Sequence, residues 1–428
     1  MNIAILSGEM SGDLTGAALA EALHRLNPDI SLWGLGSRRM AEAGVELLHD
    51  SAQWGTIGIV EALKVYPLLR YSIYPHTRQE IALRRPSAVV LIDFGAFNVR
   101  LARDCKAMGV PVLYYFPPGS WRKNGRASDE LARITDRIAT PFPWSAERLR
   151  SVGANVEFVG HPLLDLTHPT LTRSRFAGQL GMDPTRPIIG LLPGSRNFEV
   201  QYNTPAMIGA AQIISEQIPT AQFVFGLAPN VKAENIADMI RSQLQETKED
   251  TPEKPAERTP RERGLTTPEG FTLSGRALED VERARRAPIK TDKFTPPMVI
   301  AQDLTRDVLA HSDALIICSG TATLEAAILG TPMVIIYRGS RLMNLERHLR
   351  RIRPEHIGMP NILVGERIVP ELIQEEATPE ALAAAVLHLL RDPSDRAKMK
   401  SDLARARAVL GEPGASDRTA AMVMEMIR

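Results

Sequence analysis

The sequence predicts an α/β protein with two successive parallel-sheet domains, and three observations predict it. Short apolar runs alternate with amphipathic stretches, the alternation restarts part-way along the chain, and turns rich in Gly, Ser and Thr follow several of the runs. In the first half the runs are Ile3–Ser7, Ala88–Ile92 and Val110–Tyr115, followed by helical patterns over Leu14–Leu26, Val99–Met108 and Asp129–Ile134. Such alternation implies βα units and hence a parallel sheet. It resumes after Gly160-His161-Pro162 with Ile188–Leu192, Ala206–Gln217, Gln222–Phe225, Asp313–Cys318, Ala322–Leu329 and Pro332–Tyr337. Two Rossmann-like domains are therefore expected, 1–165 and 166–428, the second carrying the C-terminal helices. A substrate cleft is expected between them, at the carboxyl ends of the strands.

A chain of 428 residues exceeds one ordinary core, and 44% hydrophobic with 24% charged residues is a soluble globular profile. Lys plus Arg (51) and Asp plus Glu (50) nearly cancel, so no nucleic-acid partner is expected. Met1–Leu6 reads as a strand and not as a signal peptide, and no apolar run approaches the roughly 18 residues of a membrane span. Cys105 and Cys318 read as free thiols in a reducing compartment. The expectation is a cytoplasmic protein, at most peripheral on the inner face of the membrane, with homo-oligomerisation left open. Residues 245–297 are dominated by Glu, Lys, Arg, Thr and Pro, which reads as a disordered surface insertion with a short helix around Ala277–Arg286.

Four turns carry candidate chemistry. Ser7-Gly8-Glu9-Met10-Ser11-Gly12-Asp13 links the first strand to a helix that Ser11 or Asp13 can cap. Glu9 is not needed for a cap, and a carboxylate at a strand's carboxyl end points into the cleft. Asp93 ends the run Ala88–Ile92; it either caps the next helix or serves as a general base. Leu192-Pro193-Gly194-Ser195-Arg196 makes a tight turn from which Arg196 can reach a phosphate, or is an ordinary loop with an exposed arginine. Ser319-Gly320-Thr321-Ala322-Thr323-Leu324-Glu325 opens an apolar helix whose free N–H groups suit a diphosphate. Glu325, one turn further on, is placed for ribose hydroxyls or is a plain surface residue. Two stretches suit a lipid surface, or else a core helix and a solvated face. They are the apolar, aromatic Ile57–Tyr74 and the arginine-rich Arg338–His356.

In this order the motifs resemble the lipid A disaccharide synthase family, over nearly the whole chain except 245–297. The matching pieces are Gly8–Asp13, Ile57-Gly58-Ile59-Val60-Glu61, Ile92-Asp93, Phe97-Asn98, Gly160-His161-Pro162, Leu192–Arg196, Ser319–Glu325 and Pro360-Asn361. The resemblance implies an inverting glycosyltransferase of the GT-B type with its two domains facing a central cleft. A UDP-diacylglucosamine donor would transfer its sugar to the 6-hydroxyl of an acylated glucosamine 1-phosphate, without metal or other cofactor. It further implies Asp93 as general base with Glu9 in the same cleft, and Ser11, Asn98 and Trp121 on the acceptor side. The nucleotide-sugar side falls to Gly194, Ser195, Arg196, Ser319, Gly320, Thr321, Glu325 and Asn361. Two departures stand out. The family's Ala-Pro-Asp-Phe-Asn is here Phe94-Gly95-Ala96-Phe97-Asn98, and its Ser-Pro-Ser-Val-Trp-Ala-Trp becomes Pro117-Pro118-Gly119-Ser120-Trp121. They leave open a GT-B enzyme with another acceptor. A UDP-sugar 2-epimerase shares the architecture, but it has no use for a lipid-facing stretch at Tyr66–Tyr74. Retention of Glu9, Asp93, Arg196 and Glu325 speaks against an inactive binding protein.

Overall fold

The computed structural model describes residues 1–53, 65–123, 125, 129–249, 296–339 and 355–427. The motif Ile57–Glu61, most of the expected insertion with its helix at Ala277–Arg286, and most of the Arg338–His356 stretch lie outside the described residues. The chain divides into two compact units, Met1–Leu166 with Ala408–Arg428, and Thr167–Arg407.

The first unit holds seven parallel strands: β1 (Asn2–Ser7), β2 (Ser31–Gly36), β3 (Val45–Asp50), β4 (Ala88–Ile92), β5 (Val112–Tyr115), β6 (Arg137–Thr140) and β7 (Val156–Phe158). Their spatial order is β3-β2-β1-β4-β5-β6-β7. Successive side chains of a strand point to opposite faces. Ile3, Ile5, Val90, Leu113 and Tyr115 accordingly enter one core, and Ala4, Leu6, Val89, Leu91, Val112 and Tyr114 the other. A sheet covered on both faces needs strands that are apolar throughout, which is why these runs show no polar alternation.

Ala408–Arg428 belongs to this first unit, which corrects the expected assignment of the chain's end to the second domain. Ala420, Met422 and Val423 of helix Ala415–Met426 pack on the Ile3/Ile5/Tyr115 face. Asp165 accepts from the N–H groups of Gly414 at 2.8 Å and Ala415 at 3.3 Å, and Arg418 Nε donates to Val159 O at 2.8 Å. Without this helix part of the β1/β4/β5 face would stand open to water.

The second unit has six parallel strands: β8 (Ile188–Leu192), β9 (Gln222–Leu227), β10 (Met298–Gln302), β11 (Ala314–Cys318), β12 (Met333–Tyr337) and β13 (Glu371–Ile373), in the order β10-β9-β8-β11-β12-β13. Helix Ala233–Glu249 runs into the expected insertion, so residues 245–249 are helical rather than irregular. Glu, Gln and Lys there are good helix formers, and the helix continues through them.

Asp13 also departs from expectation. Helix Met10–Leu26 starts after Glu9 with no side-chain cap. Asp13, buried, reaches a different helix and accepts from Ser37 N at 2.6 Å, Arg39 N at 3.1 Å and Met40 N at 3.3 Å. It thereby caps Arg38–Glu42. Removing it leaves three amides without their acceptor, at about 1–3 kcal/mol for an orphaned buried group. Asp13→Ala should lower the thermal transition of the first unit by several degrees, and Asp13→Asn, which keeps one acceptor atom, by less. Equal midpoints in calorimetry would show that the helix does not depend on this cap.

Candidate active site

Each sheet has one point where its winding reverses, and ligands bind outside the strand ends at such points. In the first unit it lies between β1 and β4, in the second between β8 and β11. Ser7 of β1 is level with Ile92 of β4. Glu9 and Asp93 follow directly, so two carboxylates leave neighbouring strand ends.

The turn that carries Asp93 is strained. Asp93 and Phe94 both lie in the left-handed region, at φ 46° and 52°, and Gly95 follows at 23°. Left-handed backbone costs a non-glycine residue roughly 1–2 kcal/mol and persists only where its surroundings fix it. Here Asp93 N donates to Tyr115 O at 3.1 Å, while Asp93 O accepts from Tyr114 Oη at 2.8 Å and Asn98 Nδ2 at 2.9 Å. Asn98 Nδ2 also reaches Ile92 O at 3.2 Å. The Phe94 ring sits where a Cβ on Gly8 would stand 2.2 Å away, so this position must be glycine. Strand ends, two donors and one close ring contact together hold the backbone of Asp93 in place.

Desolvation raises Asp93 from the usual carboxylate range to about 6, with the neighbouring Glu9 charge as the second cause. Its carboxylate is reachable by water, yet enough protein surrounds it to weaken hydration of the charge. Glu9 is half-buried, while Ser11 and Trp121 are exposed. Asn98 is fully buried, so it acts by holding the turn and cannot itself touch an acceptor. His161 is likewise buried; its Nδ1 accepts from Leu163 N at 3.2 Å, and burial pushes it down to about 3, so it is a neutral structural group. Tyr114 escaped the sequence reading because a hydroxyl inside an apolar run gives no sign of its partner.

In the second unit Gly194, at φ 122°, opens the turn to helix Asn197–Gln217. Glu199 is the functional side chain the sequence reading missed. It is buried, accepts from Ser195 N at 3.0 Å and Arg196 N at 3.1 Å, and pairs with Arg196 Nη1 at 3.0 Å. A Glu three residues past a helix N-cap is a capping-box signal that could have revealed it. After β11, Ser319 Oγ donates to Ile357 O at 2.7 Å and Gly320 precedes helix Thr321–Leu329. Among the described residues no acceptor meets the amides of Gly320, Thr321 or Ala322, which leaves this helix end open to an anion. Glu325 is half-buried with Arg306 Nε at 3.4 Å, so it is not a plain surface residue. Asn361 is wholly buried and its amide is spent inside the protein. Nδ2 donates to Val369 O at 2.9 Å and Glu371 Oε1 at 2.7 Å, and Oδ1 accepts from Ile368 N and Val369 N. Expected at the donor, it instead positions a loop.

The sequence model described as lipid-A-disaccharide synthetase matches residues 3–257 and 279–426. The chain belongs to that family. The lipid-A-disaccharide synthase of Geobacter metallireducens is 36% identical over 426 residues, covering 99% of this chain and 97% of the other. This lipid-A-disaccharide synthase family member is thus a glycosyltransferase. Its architecture also matches a ugt transferase from Siraitia grosvenorii in complex with UDP (TM-score 0.56, 13% identity, all of both chains). A UDP-GlcNAc 2-epimerase from Neisseria meningitidis matches at TM-score 0.55 and 11% identity over 99% of each chain. The last two share the fold alone, which is why the fold left the epimerase reading open and the sequence comparison removes it.

The raised Asp93 has a consequence for stability. An acid that holds its proton more tightly when folded loses folding stability as pH rises, here from about 4 to about 6. Asn suits left-handed backbone and carries no charge. Asp93→Asn should therefore raise the thermal midpoint at pH 8 and leave it nearly unchanged at pH 4. A fall at pH 8 would mean that the ionised carboxylate is stabilised by a partner.

Proposed function

We propose that the chain transfers a diacylglucosamine residue from UDP-2,3-diacylglucosamine to 2,3-diacylglucosamine 1-phosphate, forming a β-1,6 disaccharide and UDP in lipid A biosynthesis. The observation that carries the reading is Asp93, a desolvated carboxylate on a strained turn beside Glu9. A value near 6 leaves it ionised at neutral pH yet basic enough to help a hydroxyl attack. In the proposed step Asp93 takes the proton of the acceptor 6-hydroxyl while that oxygen bonds to the anomeric carbon. The bond from that carbon to the UDP oxygen breaks on the opposite face, and the configuration inverts. Charge on departing UDP falls to the open amides of Gly320, Thr321 and Ala322 and to Arg196, whose guanidinium Glu199 orients. Ser195 and Gly194 shape that turn, and Ser319 and Asn361 support the loop beside the open helix end.

The acylated substrates favour work at a lipid surface. Among the described residues no helix is long and apolar enough to cross a membrane. Tyr66, Leu68 and Tyr71 are 56%, 40% and 74% exposed, which supports peripheral contact through this segment. Leu69, read with them from sequence, packs against the core and is no part of that surface. A second reading keeps the donor and changes the acceptor. It is favoured by Ala96, exposed in the first turn after Asp93 where the family has an acid.

Mass spectrometry of a reaction with both proposed substrates should show the phosphorylated disaccharide and UDP; UDP release only with a different acceptor would select the second reading. Asp93→Asn should cut turnover by about 10²–10⁴-fold with UDP affinity intact. Glu9→Gln should move the acidic limb of kcat/KM below pH 6, since it removes the like charge that raises Asp93. Arg196→Ala should weaken UDP binding by about 1.5–3 kcal/mol in calorimetry. Leu68→Ser with Tyr71→Ser should reduce co-sedimentation with liposomes while the thermal midpoint holds.

A further inference from the structure

The loop after β5 starts beside the Asp93 turn and carries charge that the donor half of the reaction does not use. Ile92 of β4 is level with Tyr115 of β5, and Asp93 N donates to Tyr115 O, so the two turns leave adjacent strand ends. The loop continues as Phe116-Pro117-Pro118-Gly119-Ser120-Trp121-Arg122-Lys123. Its backbone is pinned from one side by helix Pro143–Arg150. Arg148 Nη1 donates to Arg122 O at 2.7 Å and Nη2 to Gly119 O at 3.2 Å, and Trp144 Nε1 donates to Ser120 O at 2.8 Å. Ser120 N and Arg122 N close turns onto Pro117 O and Gly119 O at 3.0 and 3.1 Å.

On this fixed backbone two adjacent cations are set on aromatic faces. Arg122 Cζ lies 4.9 Å from the centre of the Trp121 ring, and Lys123 Nζ 5.3 Å from that of Trp144, itself stacked on Phe142. Both cations are exposed, and among the described residues no carboxylate lies within ion-pair distance of either. The indoles restrict the side chains without neutralising them. Neighbouring like charges repel, and a dianionic group that met both would relieve that repulsion and gain charge-assisted hydrogen bonds.

We propose that Arg122 and Lys123 form the anion subsite of the acceptor and bind its phosphate monoester while Asp93 addresses the hydroxyl. The proposal rests on the transfer reaction given above, which supplies a phosphate-bearing acceptor. A phospholipid headgroup offers related chemistry. The substrate is favoured because the loop that carries the pair leaves the strand end next to Asp93 and its backbone is pinned, whereas a diffuse lipid surface needs no fixed geometry.

The test uses the full chain with acceptor in neutral detergent micelles, with and without the 1-phosphate. The parent should prefer the phosphorylated acceptor. Arg122→Ala with Lys123→Ala should raise its KM about 10- to 100-fold, the loss of one charge-assisted contact or more. The variant's kcat should change little, its UDP affinity should be unchanged, and the preference should collapse. Arg122→Lys with Lys123 intact should recover part of it. A parent indifferent to the phosphate overturns the subsite, as does a double variant that loses only binding to phosphatidylglycerol vesicles. If no acceptor is glycosylated, the transfer reading fails, and the subsite is judged by glucosamine 1-phosphate against glucosamine. Quenching of tryptophan fluorescence by the phosphate ester alone, lost in the double variant, supports the subsite, and no quenching in the parent rejects it.

Discussion

The base role proposed for Asp93 asks for a carboxylate partly stripped of water yet held still, and the geometry of the first unit around Asp93 suits that requirement. The parallel pairing of β1 with β4 fixes the site, because Ser7 stands level with Ile92 and each strand releases its acid just beyond. Strain does the aiming. Two successive left-handed residues would relax in a free loop, but Tyr114 and Asn98 hold the Asp93 carbonyl from inside the core, and Phe94 rests on Gly8. A side chain on Gly8 would push Phe94 away and disturb both acidic turns together. The buried apolar strands are thus the foundation of the electrostatics: they carry the hydroxyl of Tyr114 and put enough protein beside Asp93 to weaken its hydration.

The proposed donor asks the opposite of the second unit, a place for negative charge, and the unit offers two helix ends at one switch point. They are not equivalent. At the end after β8 the buried Glu199 carboxylate already occupies the amides of Ser195 and Arg196, and what remains outward is the Arg196 guanidinium. At the end after β11 the amides of Gly320, Thr321 and Ala322 meet no acceptor among the described residues. The dipole and free N–H groups of one end and the fixed cation of the other can therefore share a diphosphate. Glu371 supports this arrangement from below, accepting from Gly358 N at 2.9 Å and from Asn361 at 2.7 Å.

What could be read in the sequence follows the range of the interactions. Fully apolar strands announce a covered parallel sheet, and Asp93 and the Ser319-Gly320 turn are legible because each directly follows such a strand. Asp13 was misread because its partners lie at Ser37–Met40, beyond any local pattern. Asn98 and Asn361 fit family motifs as ligand contacts, yet both donate their amide N–H groups to partners inside the fold, a distinction only burial makes. The end of the chain was assigned to the wrong unit since connectivity suggested it and nothing local announced that helix Ala415–Met426 covers the first sheet. Glu199 was within reach of the capping-box spacing; Tyr114 was not.

The value near 6 at Asp93 also gives Glu9 a part in the proposed reaction, since its charge is the second cause of the rise. Burial alone would raise the carboxylate, but at the expense of having it protonated if carried much further. The neighbouring Glu9 charge adds to that rise without deeper burial of Asp93. A weaker effect would leave Asp93 an ordinary acid with little pull on a hydroxyl proton. A stronger one would keep it protonated at neutral pH, when it could take none. Between those limits base strength and the ionised fraction are both kept, and the paired ends of β1 and β4 set the strained Asp93 turn beside Glu9.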